Sequence, residues 1–158
     1  MEWVIDGNHC LHFVEDANTR KNSNIGREMS YETIKKLLKS VVEKVKEQIA
    51  ADMPEKFGII IDGWDAGNGS HRMAIYATYQ NRASRMSGRS TARNYLLAVT
   101  PLLNETNFTA ETNRDFIEFV LSKYGKTLSD IIFIVGDNVS CNRRIAVLCG
   151  CTLLGCAR

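Results

Sequence analysis

Two five-residue runs, Phe57-Gly58-Ile59-Ile60-Ile61 and Ile131-Ile132-Phe133-Ile134-Val135, carry no polar side chain, and each opens into an aspartate: Asp62-Gly63 after the first, Gly136-Asp137 after the second. Short, Ile-rich runs without polar alternation predict strands buried on both faces, the habit of parallel strands in an α/β sheet. Asp62 and Asp137 are then expected just past the C-terminal ends of their strands. In open α/β sheets that edge is where ligands bind, because loops and helix N-termini converge there.

The rest of the chain supplies elements to complete such a sheet. Residues 1–29 show little periodicity, and Asn, Arg and Lys crowd Asn18 to Arg27, so an irregular N-terminal arm is expected. From Ser30 onward Ile34, Leu37, Leu38, Val41, Val42, Val45 and Ile49 recur at helical spacing, with Lys35, Lys36, Lys39, Lys44 and Lys46 on the other side. Ser30 suits the N-cap and Pro54 closes the segment, which predicts an amphipathic helix over 31–52. His71 to Tyr79 and Asn94 to Leu103 read as two strands of a hairpin with a long, Arg-rich loop. Thr109 opens a helix that Gly125 stops; after the second apolar strand another helix runs to Leu148, Gly150 ends it, and Thr152 to Leu154 is a last short strand. The order is a helix and then β-β-β-α-β-α-β. The arm is assigned 1–29 and a single α/β domain 30–158, with sheet and helices over 57–158.

Bulk properties exclude several classes. A chain of 158 residues with 44% hydrophobic and 24% charged residues suits one soluble globular domain. The net charge of +2 does not by itself mark a nucleic-acid binder, so any such surface must come from local clustering. Five cysteines, an odd number, with no signal-peptide pattern point to a reducing compartment and not to secretion. The Asn-x-Ser/Thr matches at Asn68, Asn104, Asn107 and Asn138 therefore carry no weight. No apolar run approaches the roughly 18 residues that span a bilayer. Cys149, Cys151 and Cys156 lack the spacing of a zinc finger and have no histidine nearby. His9, Cys10 and His12 in the arm read as surface or docking residues.

If the two apolar strands are neighbours, Asp62 and Asp137 approach each other from 75 positions apart, 62 to 137. Converging carboxylates repel, which favours a shared proton or a bound cation. Magnesium suits them, because it takes hard oxygen ligands and keeps waters for substrate phosphates; paired ions of this kind serve phosphodiester cleavage. The plain alternatives are that Asp137 caps the helix after it and that Asp62-Gly63 is a turn. A haloacid-dehalogenase-like phosphatase also ends a first strand in Asp, but its nucleophile strand needs a second Asp two positions on. Here that position is Trp64, and Asn142 stands where its last motif carries an acid.

Several stretches, in order, resemble the hAT group of transposases. Met53 through Trp64, ending in Asp62-Gly63-Trp64, is similar to that family's first-strand motif. His71 to Ala77 resembles its second strand and Leu96 to Leu102 its third. Phe119 to Lys126, followed by Val135-Gly136-Asp137-Asn138-Val139-Ser140-Cys141-Asn142, resembles its helix and second catalytic motif; Leu153 to Ala157 looks like the start of its Gly-Cys-x-x-His stretch. The resemblance implies a ribonuclease H-like mixed sheet, magnesium or manganese, DNA as partner, and DNA cleavage with strand transfer. By position, Asp62 and Asp137 are the first two of three catalytic carboxylates.

The third, a glutamate on a late helix of that family, has no counterpart here, because residues 138–158 contain no Asp or Glu. The expectation is therefore an incomplete ribonuclease H-like domain, truncated before the third carboxylate, with weak ion binding and little activity alone. Its class rival is a non-catalytic interaction or regulatory module that associates with itself or another chain through core surface left exposed. Arg82, Arg85, Arg89 and Arg93 crowd the expected hairpin loop, where they either grip phosphates or form an ordinary solvated loop. Trp64 is expected to pack beneath the site. The family implies a nuclear location, with the cytoplasm as the alternative.

Overall fold

The structure, a computed structural model, describes residues 9–22, 29–65, 71–80, 92–101 and 109–155. The chain divides into two compact units, Met1–Lys46 and Glu47–Arg158.

In the first unit the arm is more ordered than its composition suggests. Leu11–Glu15 forms a 3-10 turn and helix α1 spans Ala17–Asn22. The local cause is Asp16, whose carboxylate accepts the Thr19 N–H at 2.7 Å and the Thr19 hydroxyl at 2.9 Å, as an N-cap does. Those bonds hold the Asp16 carboxyl below its usual range. Glu15 accepts the Tyr31 N–H at 2.7 Å, tying the arm to the next helix, and His12 stacks on the Tyr31 ring with centroids 4.2 Å apart. Val14 and Ile34, each 2% exposed, form a small core with Leu11, Met29 and Leu38 packed against it.

Helix α2, Tyr31–Asp52, has the expected limits, and Ser30 Oγ accepts the Thr33 N–H at 3.2 Å. Its apolar stripe is only partly used. Ile34 is buried and Ile49 joins the core of the second unit, whereas Leu37, Val41, Val42 and Val45 stay 40–51% exposed. The boundary between the two units falls inside this helix.

The second unit is a mixed α/β structure. Strands β1 (Phe57–Asp65), β2 (His71–Tyr79) and β3 (Arg93–Pro101) form an antiparallel meander, and β4 (Ile131–Gly136) and β5 (Thr152–Gly155) add in parallel on the other side of β1. The sheet order is β3-β2-β1-β4-β5. Helix α3 (Ala110–Ser122) and helix α4 (Ser140–Leu148) are the crossovers into β4 and β5, as parallel pairing requires. Thr109 Oγ1 accepts the Thr112 N–H at 3.2 Å and so caps α3. Both helices stop at glycines with positive φ, Gly125 (65°) and Gly150 (68°). Lys126 and Cys151 then donate main-chain N–H groups back to Leu121 and Ala146 at 3.0 Å, the closure that a left-handed glycine permits.

One face of the sheet carries the core. Ile59, Ile75 and Ile134 are fully buried against Ile117 and Leu121 of α3 and Ile145 of α4. Burial of each such side chain is worth about 1.5–3 kcal/mol. The other face alternates with it: Gly58, Ile60, Asp62 and Trp64 on β1 stand opposite Thr78, Tyr76, Ala74 and Arg72 on β2. A bulge in β3, where Ile75 pairs with Ala98 but Tyr76 with Leu96, turns Leu97 into the core. The Leu97 carbonyl takes the Tyr124 hydroxyl at 2.8 Å, so the bulge leaves no buried acceptor there unpaired.

Candidate functional site

Parallel pairing of β1 with β4 runs Gly58↔Phe133, Ile59↔Ile134, Ile60↔Val135. Asp62 and Asp137 each lie two residues beyond the last of these pairs. They are therefore level with each other along the strands, Asp62 within β1 and Asp137 just beyond the end of β4. One residue earlier the strands are in close contact, since a Cβ on Gly136 would stand 3.2 Å from Ile61 Cγ1 and 3.5 Å from the Ile61 carbonyl oxygen. Both aspartates are exposed.

The sequence misplaced Asp62 by one detail. It lies inside β1 and not past its end, because β1 goes on pairing with β2 through Asp62↔Ala74 to Asp65↔His71 after it has parted from β4. Asp62-Gly63 is consequently strand and not a turn. Asp137 is not a helix cap either: the N-cap of α4 is Val139, with no side-chain cap bond.

The Asp137 side chain has a different partner. Asn142, in the first turn of α4, donates from Nδ2 to the Asp137 carbonyl oxygen at 3.1 Å and to Asp137 Oδ1. Next to it Arg143 Nε donates to Asn138 Oδ1 at 2.9 Å. Arg144 of α4 approaches Glu111 in the first turn of α3 at 3.5 Å. The N-terminus of α4 adds its partial positive charge there, which favours anionic groups.

Trp64 is 40% exposed and pairs across the sheet with half-buried Arg72, on the face and at the end of the sheet where Asp62 stands. It does not pack beneath the site as a core residue would. Arg93 is exposed and pairs with Tyr79 at the far end of the same strands. Val99 is the β3 residue level with Asp62, by way of Ala74. Six residues of strand then separate Arg93 from the aspartates, on the order of 20 Å. Arg82, Arg85 and Arg89 lie outside the described residues.

No protein-family model matches the chain, and no curated protein is significantly similar to it. The site is thus read from its own chemistry. The carboxylates of Asp62 and Asp137 offer hard oxygens of the kind magnesium or manganese takes. Among the described residues no group of three or more His, Cys, Asp or Glu side chains converges. Cys149 is buried in the core, where loss of hydration pushes its thiol up to about 11, and Cys151 is shifted upward for the same reason. Thiols held in the protonated form make poor metal ligands. No helix among the described residues is long and apolar enough to cross a membrane.

Sequence reasoning gave no positioning role to Asn142, which bonds Asp137, and none to Arg143 or Arg72, which respectively bond Asn138 and pair with Trp64. Asn142 had a legible signal, an amide five positions after Asp137 in a helix's first turn. Arg72 had none, since its place depends on cross-strand register.

Proposed function

We propose that this chain is part of a hAT-like DNA transposase with a ribonuclease H-like sheet, in which Asp62 and Asp137 supply two carboxylates of a divalent-metal site for DNA cleavage and strand transfer. The observation that carries this reading is that Asp62 and Asp137 stand at one level, each two residues beyond the last pair of the adjacent parallel strands β1 and β4. The sheet order β3-β2-β1-β4-β5, with an antiparallel meander and two parallel additions, also supports it. The donor set fits the ion: Asn142 occupies Asp137 Oδ1, and Oδ2 has no hydrogen bond among the described residues. A bound magnesium or manganese would activate water and neutralise charge developing on a phosphodiester. The chain's own residues would hold that ion through Asp62 and Asp137 and meet the nucleic-acid backbone with Arg72 and Arg143. Two carboxylates alone hold magnesium weakly, so strand transfer by them alone is expected to be undetectable.

Terbium is a hard, oxygen-seeking stand-in for the ion, and Trp64 is placed to sensitise its luminescence. We expect a saturable terbium signal that magnesium displaces, with affinity lowered at least about tenfold (~1.4 kcal/mol) in Asp62→Ala and in Asp137→Ala. Unchanged affinity in both variants would end the metal-site reading.

One observation favours a second reading, a non-catalytic interaction module. On the face away from the helices Leu96, Val99 and Leu154 are 46–48% exposed, an apolar surface of the kind that partners cover. In that case the chain would be indifferent to magnesium, and its self-association would depend on those three residues.

A further inference from the structure

Granting the metal site proposed above, we infer that Asn142 is its positioning residue: by holding Asp137 Oδ1 it limits Asp137 to one ligating oxygen and so selects a small octahedral cation, Mg2+ or Mn2+, against Ca2+. Helix side chains lean toward the N-terminus of their helix, and from the first turn of α4 Asn142 reaches back over the end of β4. The two N–H groups of Nδ2 are both used on one residue, one on the Asp137 carbonyl oxygen at 3.1 Å and one on Oδ1. Together they fix the rotation of the Asp137 side chain and engage one of its oxygens.

Calcium accepts carboxylates through both oxygens at 2.3–2.6 Å, whereas magnesium takes single oxygens at about 2.0–2.1 Å in near-ideal octahedra. A carboxylate with Oδ1 already engaged suits the second ion. The clamp is also neutral. An arginine or lysine at position 142 would cancel the charge that attracts the cation, whereas an amide orients the carboxylate and leaves that charge in place. Gly136 keeps room for this arrangement, since a Cβ there would stand 3.2 Å from Asn142 Nδ2.

The test is displacement of terbium from the full chain by Mg2+ and by Ca2+, with folding followed by circular dichroism. Asn142→Ala is expected to weaken Mg2+ about tenfold, the usual effect of removing a group that orients a ligand, and to leave Ca2+ unchanged or tighter. Asn142→Asp keeps the shape, removes the donor and adds a carboxylate; it should bind both ions more tightly and lose the preference between them. This variant carries the test if Asn142→Ala does not fold. A Mg2+ to Ca2+ ratio within twofold of the parent in both variants, while Asp62→Ala and Asp137→Ala abolish binding, overturns the positioning role and leaves the metal-site reading standing. Binding that survives both Asp substitutions overturns that reading, and the role of Asn142 with it.

Discussion

The two faces of the one sheet are built from the same strands and have opposite fates. On the face under α3 and α4, Ile59, Ile75 and Ile134 are 0% exposed, while on the reverse Leu96 and Leu154 are 48% and 47% exposed. Composition does not distinguish them, because β1 is apolar on both sides from Phe57 to Ile61. The difference lies in what the connections cover. Both described crossovers pack on one side, and Asp62 stands on the other. Stability is thus concentrated on one face: close packing fixes the strands from beneath, and the reverse is left open.

The largest test of that division is truncation on each side. Ile59→Ala and Ile134→Ala should each cost about 2–5 kcal/mol in urea unfolding, because they leave cavities in a closed core. Leu96→Ala and Leu154→Ala should cost under about 1 kcal/mol. Equal losses on the two faces would break the comparison.

A smaller effect is expected at Gly58. A Cβ there would run into the Phe133 ring on the open side. Phe133 is only half-buried, so its ring has solvent to move into. Gly58→Ala should therefore cost about 1 kcal/mol, at the low end for overpacking. In a Phe133→Ala background that cost should vanish; if it persists, backbone strain and not the ring is responsible.

The smallest effect is a pH dependence confined to the covered side. Burial raises the Cys149 thiol from its ordinary 9.0 to about 11 and raises the Tyr79 hydroxyl, which also stacks on Tyr95 with centroids 4.6 Å apart. A folded-state pKa above the unfolded value contributes stability that is complete below the unfolded pKa and is lost as pH climbs through the folded one. Unfolding midpoints should thus hold steady to about pH 9 and fall between 9 and 11, and Cys149→Ala should flatten the early part of that slope.

Much of this architecture was written in local sequence. Ser30 and Thr109 announced helix starts, Gly125 and Gly150 announced stops, and the two apolar runs announced the parallel strands, because caps and positive-φ turns depend on a few neighbouring atoms. What local sequence withheld depends on distant partners. Asp62 is a strand residue only because β2 lies alongside it, and Trp64 meets Arg72 only through that register. The arm's order was missed because Glu15 and Asp16 work as acceptors for Tyr31 and Thr19, and their effect is hidden when residues are averaged as polar. The open face was unreadable, since an uninterrupted apolar strand looks the same whether one side or both are covered.

The pairing of β1 with β4 also sets an order of assembly. The meander β1-β2-β3 closes through short-range contacts, whereas Ile59 must wait for Ile134, 75 positions later, to complete its surroundings. At synthesis rates of about 5–20 residues per second, the stretch from the end of β3 at Pro101 to the end of β4 at Gly136 takes roughly 2–7 s to emerge. Through that interval a three-stranded, doubly apolar ribbon with an unpaired β1 edge stands in water, the form of chain most prone to pair with its neighbours. The strand that bears Asp62 is therefore also the one most in need of shelter during birth.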